Sequence, residues 1–385
     1  MLNAAVTRIR AGAAAALLTA ATRRADLSCG DDEVRGYVVF ERQVDGEPLV
    51  RVSIEEMLSE LDDSARRMVL VGETHDDGLA HALERQIFAR LSRADAPSRK
   101  IAATSPASAF ARAFAAPAAD DGARPCALSL EMIERSPDEH APGGRLGAYL
   151  SGRTRDEREL FAPGWSAAAY APLARLARDA PRSAGLVAAN PPRQHAALVR
   201  RAGPAALDDL DASQRALLPP LPYPSEPTDA YRSRLERVFA HAKSPENMMA
   251  AQALWDASMA HGLLRHLAEH PSHRVLHVCG RFHVEHFLGV VDQLWHYLYE
   301  RPPSDAFRKL ADDGVGERDA FRVVVCVPAD FAAARADWAA VAREPMLAGL
   351  ADFVVLTDVG KTAPGGVGPS GAAERAPECG GCPAA

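Results

Sequence analysis

The sequence predicts an α/β protein with a mostly parallel sheet covered by helices on both faces, a three-layer α/β/α arrangement. Three observations carry this. Short, nearly continuous apolar runs recur and stop at polar or turn residues: Met68–Val71, Ala127–Leu130, Leu186–Ala189, Val275–Cys279, Arg322–Val327 and Phe353–Leu356. Such runs suit strands buried on both faces. Helical patterns separate the runs, which implies parallel strands joined through helices. Two of the runs end in a glycine–histidine turn, Gly72-Glu73-Thr74-His75 and Gly280-Arg281-Phe282-His283.

The elements follow in order. Val38–Phe40 and Leu49–Val52 flank Asp45-Gly46, a hairpin signal with a loop longer than two residues. Ser53 precedes Glu56 by three residues, a capping-box pattern that opens a helix to about Leu61. Leu79, Leu83, Ile87 and Leu91 recur every four residues and predict a helix after the first run. Residues 208–245 hold Pro219, Pro220, Pro222, Pro224 and Pro227 and read as a lid-like excursion. A long helix from Pro245 to Glu269 follows, with proline suited to its first turn. A further helix is expected over Val284–Tyr299, with Phe287, Leu288, Val291, Leu294 and Leu298 on one side. Residues 92–124 read as an insertion and 360–385 as a disordered tail.

Composition narrows the function classes. The chain has 385 residues, enough for one large domain or two small ones at roughly 150 residues each. A net charge of −7 without a basic stripe argues against a nucleic-acid partner. No run of about 18 apolar residues exists, so no transmembrane helix is expected. The first 30 residues hold Arg8, Arg10, Arg23 and Arg24, many alanines and no acid before Asp26. That pattern suits a transit peptide to a chloroplast or mitochondrion, with a secretory signal as the alternative. Cys126, Cys279 and Cys326 sit in apolar runs and read as buried thiols. Cys379 and Cys382 form a single C-x-x-C, without the second pair a structural zinc site uses.

Ligands of open parallel sheets bind beyond the carboxyl ends of the strands. Glu73, His75, Glu131, Asn190 and His283 all fall at such ends. Two imidazoles with two carboxylates can bind a divalent metal, here through His75, His283 and Glu73, or do metal-free acid–base work. His81 follows early in the next helix and could reach the same edge, although a packed or solvated side chain is the better reading. His286 shares the i,i+3 spacing with His283 but reads better as a packed or solvated side chain. Gln252, Asp256 and Met259 lie on one face of the long helix. An acid there either lines a polar cleft or is paired, so Asp256 joins the candidates; Trp255 reads as core.

These residues resemble a family. Val-Gly-Glu-Thr-His-Asp-Asp (71–77) with His81 and Gln86 looks like the opening motif of ChaN-like haem-binding uptake proteins of the Tiki superfamily. So do Leu-Ser-Leu-Glu-Met (128–132), Ala-Ala-Asn-Pro-Pro-Arg (188–193), Ala-Gln-Ala-Leu-Trp-Asp-Ala-Ser-Met-Ala (251–260) and Val-Cys-Gly-Arg-Phe-His-Val-Glu-His (278–286). The likeness spans residues 36–358. It implies an α/β/α domain with the paired turns at its centre, and either of two jobs. ChaN-like relatives bind haem, sometimes as dimers around it. Tiki-type and erythromycin-esterase-like relatives hydrolyse peptides, esters or amides, some with a divalent metal. By motif match His75, His283, Glu73 and Glu131 carry over. No haem ligand carries over; Tyr149, Tyr170 and Tyr223 are merely available. The haem-binding reading expects an apolar cleft beside the strand ends under the 208–245 lid.

Overall fold

A computed structural model describes residues 29–43, 47–93, 124–137, 144–334 and 337–362. The leader, the body of the 92–124 insertion, the Asp45-Gly46 turn and the Cys379/Cys382 tail lie outside the described residues.

Eight strands form one sheet: β1 (Tyr37–Glu41), β2 (Val50–Val52), β3 (Met68–Glu73), β4 (Cys126–Leu130), β5 (Ser183–Val187), β6 (Arg274–Gly280), β7 (Phe321–Ala329) and β8 (Phe353–Asp358). Their order is β2-β1-β8-β7-β3-β6-β4-β5. The six strands from β8 to β5 pair in parallel, and the antiparallel β1–β2 hairpin adds one edge. The predicted class is therefore the observed one, a mostly parallel sheet between helical layers.

Alternation along each strand divides the core in two. Met68 and Leu70 face one apolar cluster, while Val69 and Val71 face the other. The second cluster takes in α1 (Ile54–Leu61), α2 (Gly78–Leu91) and α3 (Ala167–Asp179). On the opposite face lie α4 (Arg193–Ala202), α6 (Pro245–Glu269), α7 (Val290–Trp295) and α8 (Asp305–Asp312). Leu70 and Phe40 are wholly buried, and such side chains each contribute about 1.5–3 kcal/mol by leaving water. Cys126, Cys279 and Cys326 are buried free thiols, as the apolar runs imply.

Local chemistry explains the helix starts. Ser53 Oγ accepts from the Glu56 N–H at 3.2 Å, and Glu56 accepts from the Ser53 N–H at 2.8 Å, completing the capping box of α1. Asp77 caps α2 by accepting from Leu79 and Ala80. Arg274 is buried at the start of β6, where it donates to Asp62 and to the Leu91 carbonyl. That pairing supplies the partner a buried charge requires.

One sequence expectation is corrected. The helix expected over 284–299 begins only at Val290, because His286 and Phe287 take positive φ (62° and 60°) and the chain turns through Gly289 first. A right-handed helix cannot pass through those conformations. The 208–245 excursion contains a helix, α5 (Asp229–Phe239), packed against α6 and the turn after β6. Tyr231, Leu235 and Phe239 pack with Met249, Phe282 and Leu288. No helix among the described residues is long and apolar enough to cross a membrane.

Candidate functional site

The ends of β3, β6, β4 and β5 lie side by side, and they deliver the predicted groups to one edge. Glu73 closes β3 opposite Gly280 of β6. Glu131 follows β4 and accepts from the Gly280 N–H at 2.7 Å. Asn190, beyond β5, donates its side-chain amide to the Glu131 carbonyl at 2.7 Å, so it positions the turn rather than offering a reactive group.

The groups separate into two clusters on either side of Gly280. In the first, Glu73 is the hub. Its Oε1 accepts from Tyr170 at 2.5 Å and lies 3.0 Å from His75 Nδ1; its Oε2 lies 2.9 Å from His81 Nε2. Glu84, on the next turn of α2, is buried in the same group. The Trp165 ring meets His75 edge-on, with centroids 4.8 Å apart. Burial pushes the Glu73 carboxyl up, but the imidazoles of His81 and His75 outweigh it and hold Glu73 well below the usual range. Glu84 moves the other way: burial, then the adjacent Glu73 charge, raises it well above a normal carboxylate. Two carboxylates this close cannot both carry charge cheaply.

The second cluster surrounds His283, which is fully buried. Its Nδ1 lies 2.6 Å from Asp256 Oδ1 and its Nε2 lies 3.5 Å from Glu131 Oε1. Tyr231 of α5 donates to the other Asp256 oxygen at 2.9 Å, and Gln252 lies 3.1 Å from the ring. Burial alone would lower the His283 pKa, but Glu131 and Asp256 raise it to about 10. Burial likewise raises Glu131, and the His283 and His75 imidazoles with the Gly280 N–H bring it to about 2. Burial also raises Asp256, against the pull of the His283 imidazole, and the shifts of His283 and Glu131 both favour a charged ring facing carboxylates.

Gly280 joins the clusters. A Cβ there would lie 2.9 Å from His75 Nε2 and 3.6 Å from Glu131 Oε2. The absent side chain lets His75 from one cluster and Glu131 from the other face the same backbone.

The sequence candidates Glu73, His75 and His81 therefore meet in the first cluster, and Glu131, His283 and Asp256 in the second. His75, His283 and Glu73 are not a group with ligand atoms within 4.8 Å of one another among the described residues, and His283 is engaged by Asp256 and Glu131. Among the described residues the convergent metal-type set is Glu73, His81 and Glu84, whose ligand atoms lie within 4.8 Å of one another. Sequence reading missed Glu84 and Tyr231 and gave Tyr170 no role. Glu84 had a signal: it lies on the stripe His81-Glu84-Phe88-Leu91, every member of which is buried. His286 is apart, its N–H bonded to the Leu350 carbonyl.

One buried histidine beside the site has a simple consequence. His277 of β6 contacts Ser129 Oγ at 3.0 Å, its Nε2 has no hydrogen-bond partner, and burial lowers its pKa to about 4. The unfolded ring takes up a proton near pH 6.5 and the native ring does not. Its contribution to stability is therefore lost as pH falls from about 6.5 toward about 4. Thermal unfolding of His277→Gln should show a shallower fall over that window than the wild type; equal slopes would contradict the assignment.

Fold and site define a class: an α/β protein whose parallel sheet carries buried, charge-coupled His/Glu clusters at its carboxyl edge. The chain belongs to the haem-binding uptake, Tiki superfamily, ChaN family, whose profile matches residues 59–294, more than half of its length. A solved structure described as "Cofacial heme binding to ChaN of Campylobacter jejuni" is similar, with TM-score 0.51 and 14% identity over 84% of this chain and 98% of that one. A mutant of the erythromycin esterase EreC in its open conformation matches at 13% identity over 72% of this chain and 73% of that one, with TM-score 0.33. No curated protein sequence matches the chain.

Proposed function

We propose that the protein binds haem on an exposed aromatic face rather than in an enclosed pocket. The observation that carries this reading is the pair Trp295 and Tyr299. They are 48% and 47% exposed, four residues apart, with ring centroids 5.7 Å apart. Haem is a flat, largely apolar disc that needs a ligand for its iron, and a tyrosine oxygen can serve. Tyr299 supplies that chemistry and Trp295 an apolar wall. The turn bearing Tyr299, His296–Glu300, is π-helical, a distortion common at functional sites. Tyr149, Tyr170 and Tyr223 fit haem poorly because all three are buried. A cavity of about 250 Å³ lined by Glu41, Arg42, Arg318, Arg322 and Asp352 does not fit either. It is polar, and it lies at the amino ends of β7 and β8, away from the site.

Haemin titration tests the reading. The wild type should shift the Soret band with a stoichiometric end point, and Tyr299→Phe should weaken binding about tenfold or more. Absence of a shift at micromolar protein, or identical titrations of the two proteins, would count against it. Sedimentation with and without haemin then tests the expected dimer.

A second reading, acid–base hydrolysis of a peptide, ester or amide, has its own support. Glu73 orients His75 through Nδ1, and His75 Nε2 faces Gly280 opposite Glu131. A carboxylate-oriented imidazole is the arrangement of a general base. A hydrolase screen of wild type and His75→Ala addresses it; equal background rates would rule it out.

A further inference from the structure

We infer that Glu73, His81 and Glu84 form a site for one first-row divalent cation, pinning α2 to the end of β3. The set differs from the His75, His283 and Glu73 grouping that strand-end position and the family resemblance implied. It does not rest on the haem-binding reading.

Three features carry the inference. Their ligand atoms lie within 4.8 Å of one another, and donors held about 2.1 Å from one tetrahedral ion stand roughly 3.4 Å apart, so a small side-chain adjustment brings all three onto one ion. All three residues are at least nine-tenths buried, at 1%, 7% and 1% exposure. Glu73 Oε2, His81 Nε2 and Glu84 Oε1 are each buried without a properly oriented hydrogen bond. Buried polar atoms are rarely left so, and here three of them face one another from two elements. A cation placed among them would satisfy all three at once.

The surroundings match a ligand carboxylate. Tyr170 and His75 both engage Glu73 Oε1, which fixes the carboxylate plane and leaves Oε2 directed at His81 and Glu84. Bonds of this kind orient metal ligands generally. One imidazole with two carboxylates supplies the charge to balance a doubly charged ion, and this donor mix suits Mn2+, Fe2+ or Zn2+ better than a soft ion. Three protein ligands leave a fourth position for a water, and burial of all three keeps the ion away from bulk solvent.

The test uses full-length, chelator-treated protein and metal ions alone. The surface histidines His266, His270 and His273, whose rings lie within 5.3 Å of one another, could bind ions adventitiously. Measurements therefore include the triple variant His266→Ala, His270→Ala, His273→Ala. Equilibrium dialysis with elemental analysis should give one equivalent of Mn2+, Co2+ or Zn2+ in wild type and triple variant alike. The Co2+ form should show ligand-field absorption. Added ion should raise the melting temperature in a concentration-dependent way. Glu84→Gln and His81→Asn should each weaken binding at least about tenfold, and Tyr170→Phe about tenfold through orientation alone. Circular dichroism identifies which variants fold, and any one folded ligand variant suffices. Tyr299→Phe should leave ion binding unchanged, which separates this test from the haem titration. No stoichiometric ion in the wild type, binding lost only in the triple histidine variant, or undiminished binding in folded Glu84→Gln would overturn the inference.

Discussion

Replacing His283 by alanine should destabilise the protein by about 3–5 kcal/mol, the cost of leaving buried charge without its partner. The ring is wholly buried, 2.6 Å from Asp256 and 3.5 Å from Glu131. Removing it strands two carboxylates in the core. The loss should shrink in an Asp256→Asn, Glu131→Gln background, where nothing charged remains to be stranded. Urea unfolding of the single, double and triple variants measures the coupling. The pH dependence has a defined sign. The His283 pKa is raised to about 10, so its stabilisation is fully present below about pH 6.5 and is lost as pH rises through about 10. Glu131 is lowered to about 2, so its contribution is present above its ordinary value of 4.5 and is lost as pH falls toward about 2. The gap between wild type and His283→Ala should accordingly narrow progressively as pH rises from about 6.5 to about 10. A gap that is constant from pH 6 to 10 would contradict the charged-ring account.

Gly72→Ala should be nearly as damaging, for a steric reason. Gly72 lies in the middle of the sheet, in register with Cys279 of β6 and Val325 of β7. A Cβ there would come within 2.7 Å of the Arg281 Cα and 2.7 Å of Val284 Cγ2. Arg281 is backbone and cannot swing aside, so the strand or the turn carrying His283 must shift. Overpacking of this kind costs about 1–3 kcal/mol, and more where backbone must move. Gly280→Ala makes the contrast. Its Cβ would meet the far edge of the His75 ring at 2.9 Å, and a side chain can give way. Gly280→Ala should lose less stability than Gly72→Ala but displace His75, and with it any chemistry that His75 performs. Paired denaturation midpoints check the order; equal losses would count against it.

Much of this was legible in the sequence because it is local. Buried parallel strands announce themselves as apolar runs, and the capping box at Ser53 and Glu56 is complete within four residues. The strand-end rule then placed Glu73, His75, Glu131 and His283 at one edge without any knowledge of strand order. What stayed hidden depends on long-range packing. Tyr170 reaches Glu73 across 97 residues, and Tyr231 reaches Asp256 from a proline-rich segment with no fixed period. Nothing near either tyrosine signals its partner. The late start of α7 was hidden for a different reason: the apolar pattern of 284–299 is helical, but the positive φ of His286 and Phe287 is imposed by the turn over the strand ends. Glu84 was the avoidable omission, since an acid on a wholly buried helical stripe requires a partner.

The central claim is that the sheet edge holds a charged imidazole between carboxylates, beside a Glu73 hub. Nitrogen NMR of histidine-labelled protein between pH 6 and 9, with His283 assigned by its loss in His283→Gln, tests it most directly. The account predicts an imidazolium with both ring nitrogens protonated throughout that range. A His283 signal that titrates near pH 6.5, or that is a neutral tautomer at pH 7, would contradict it.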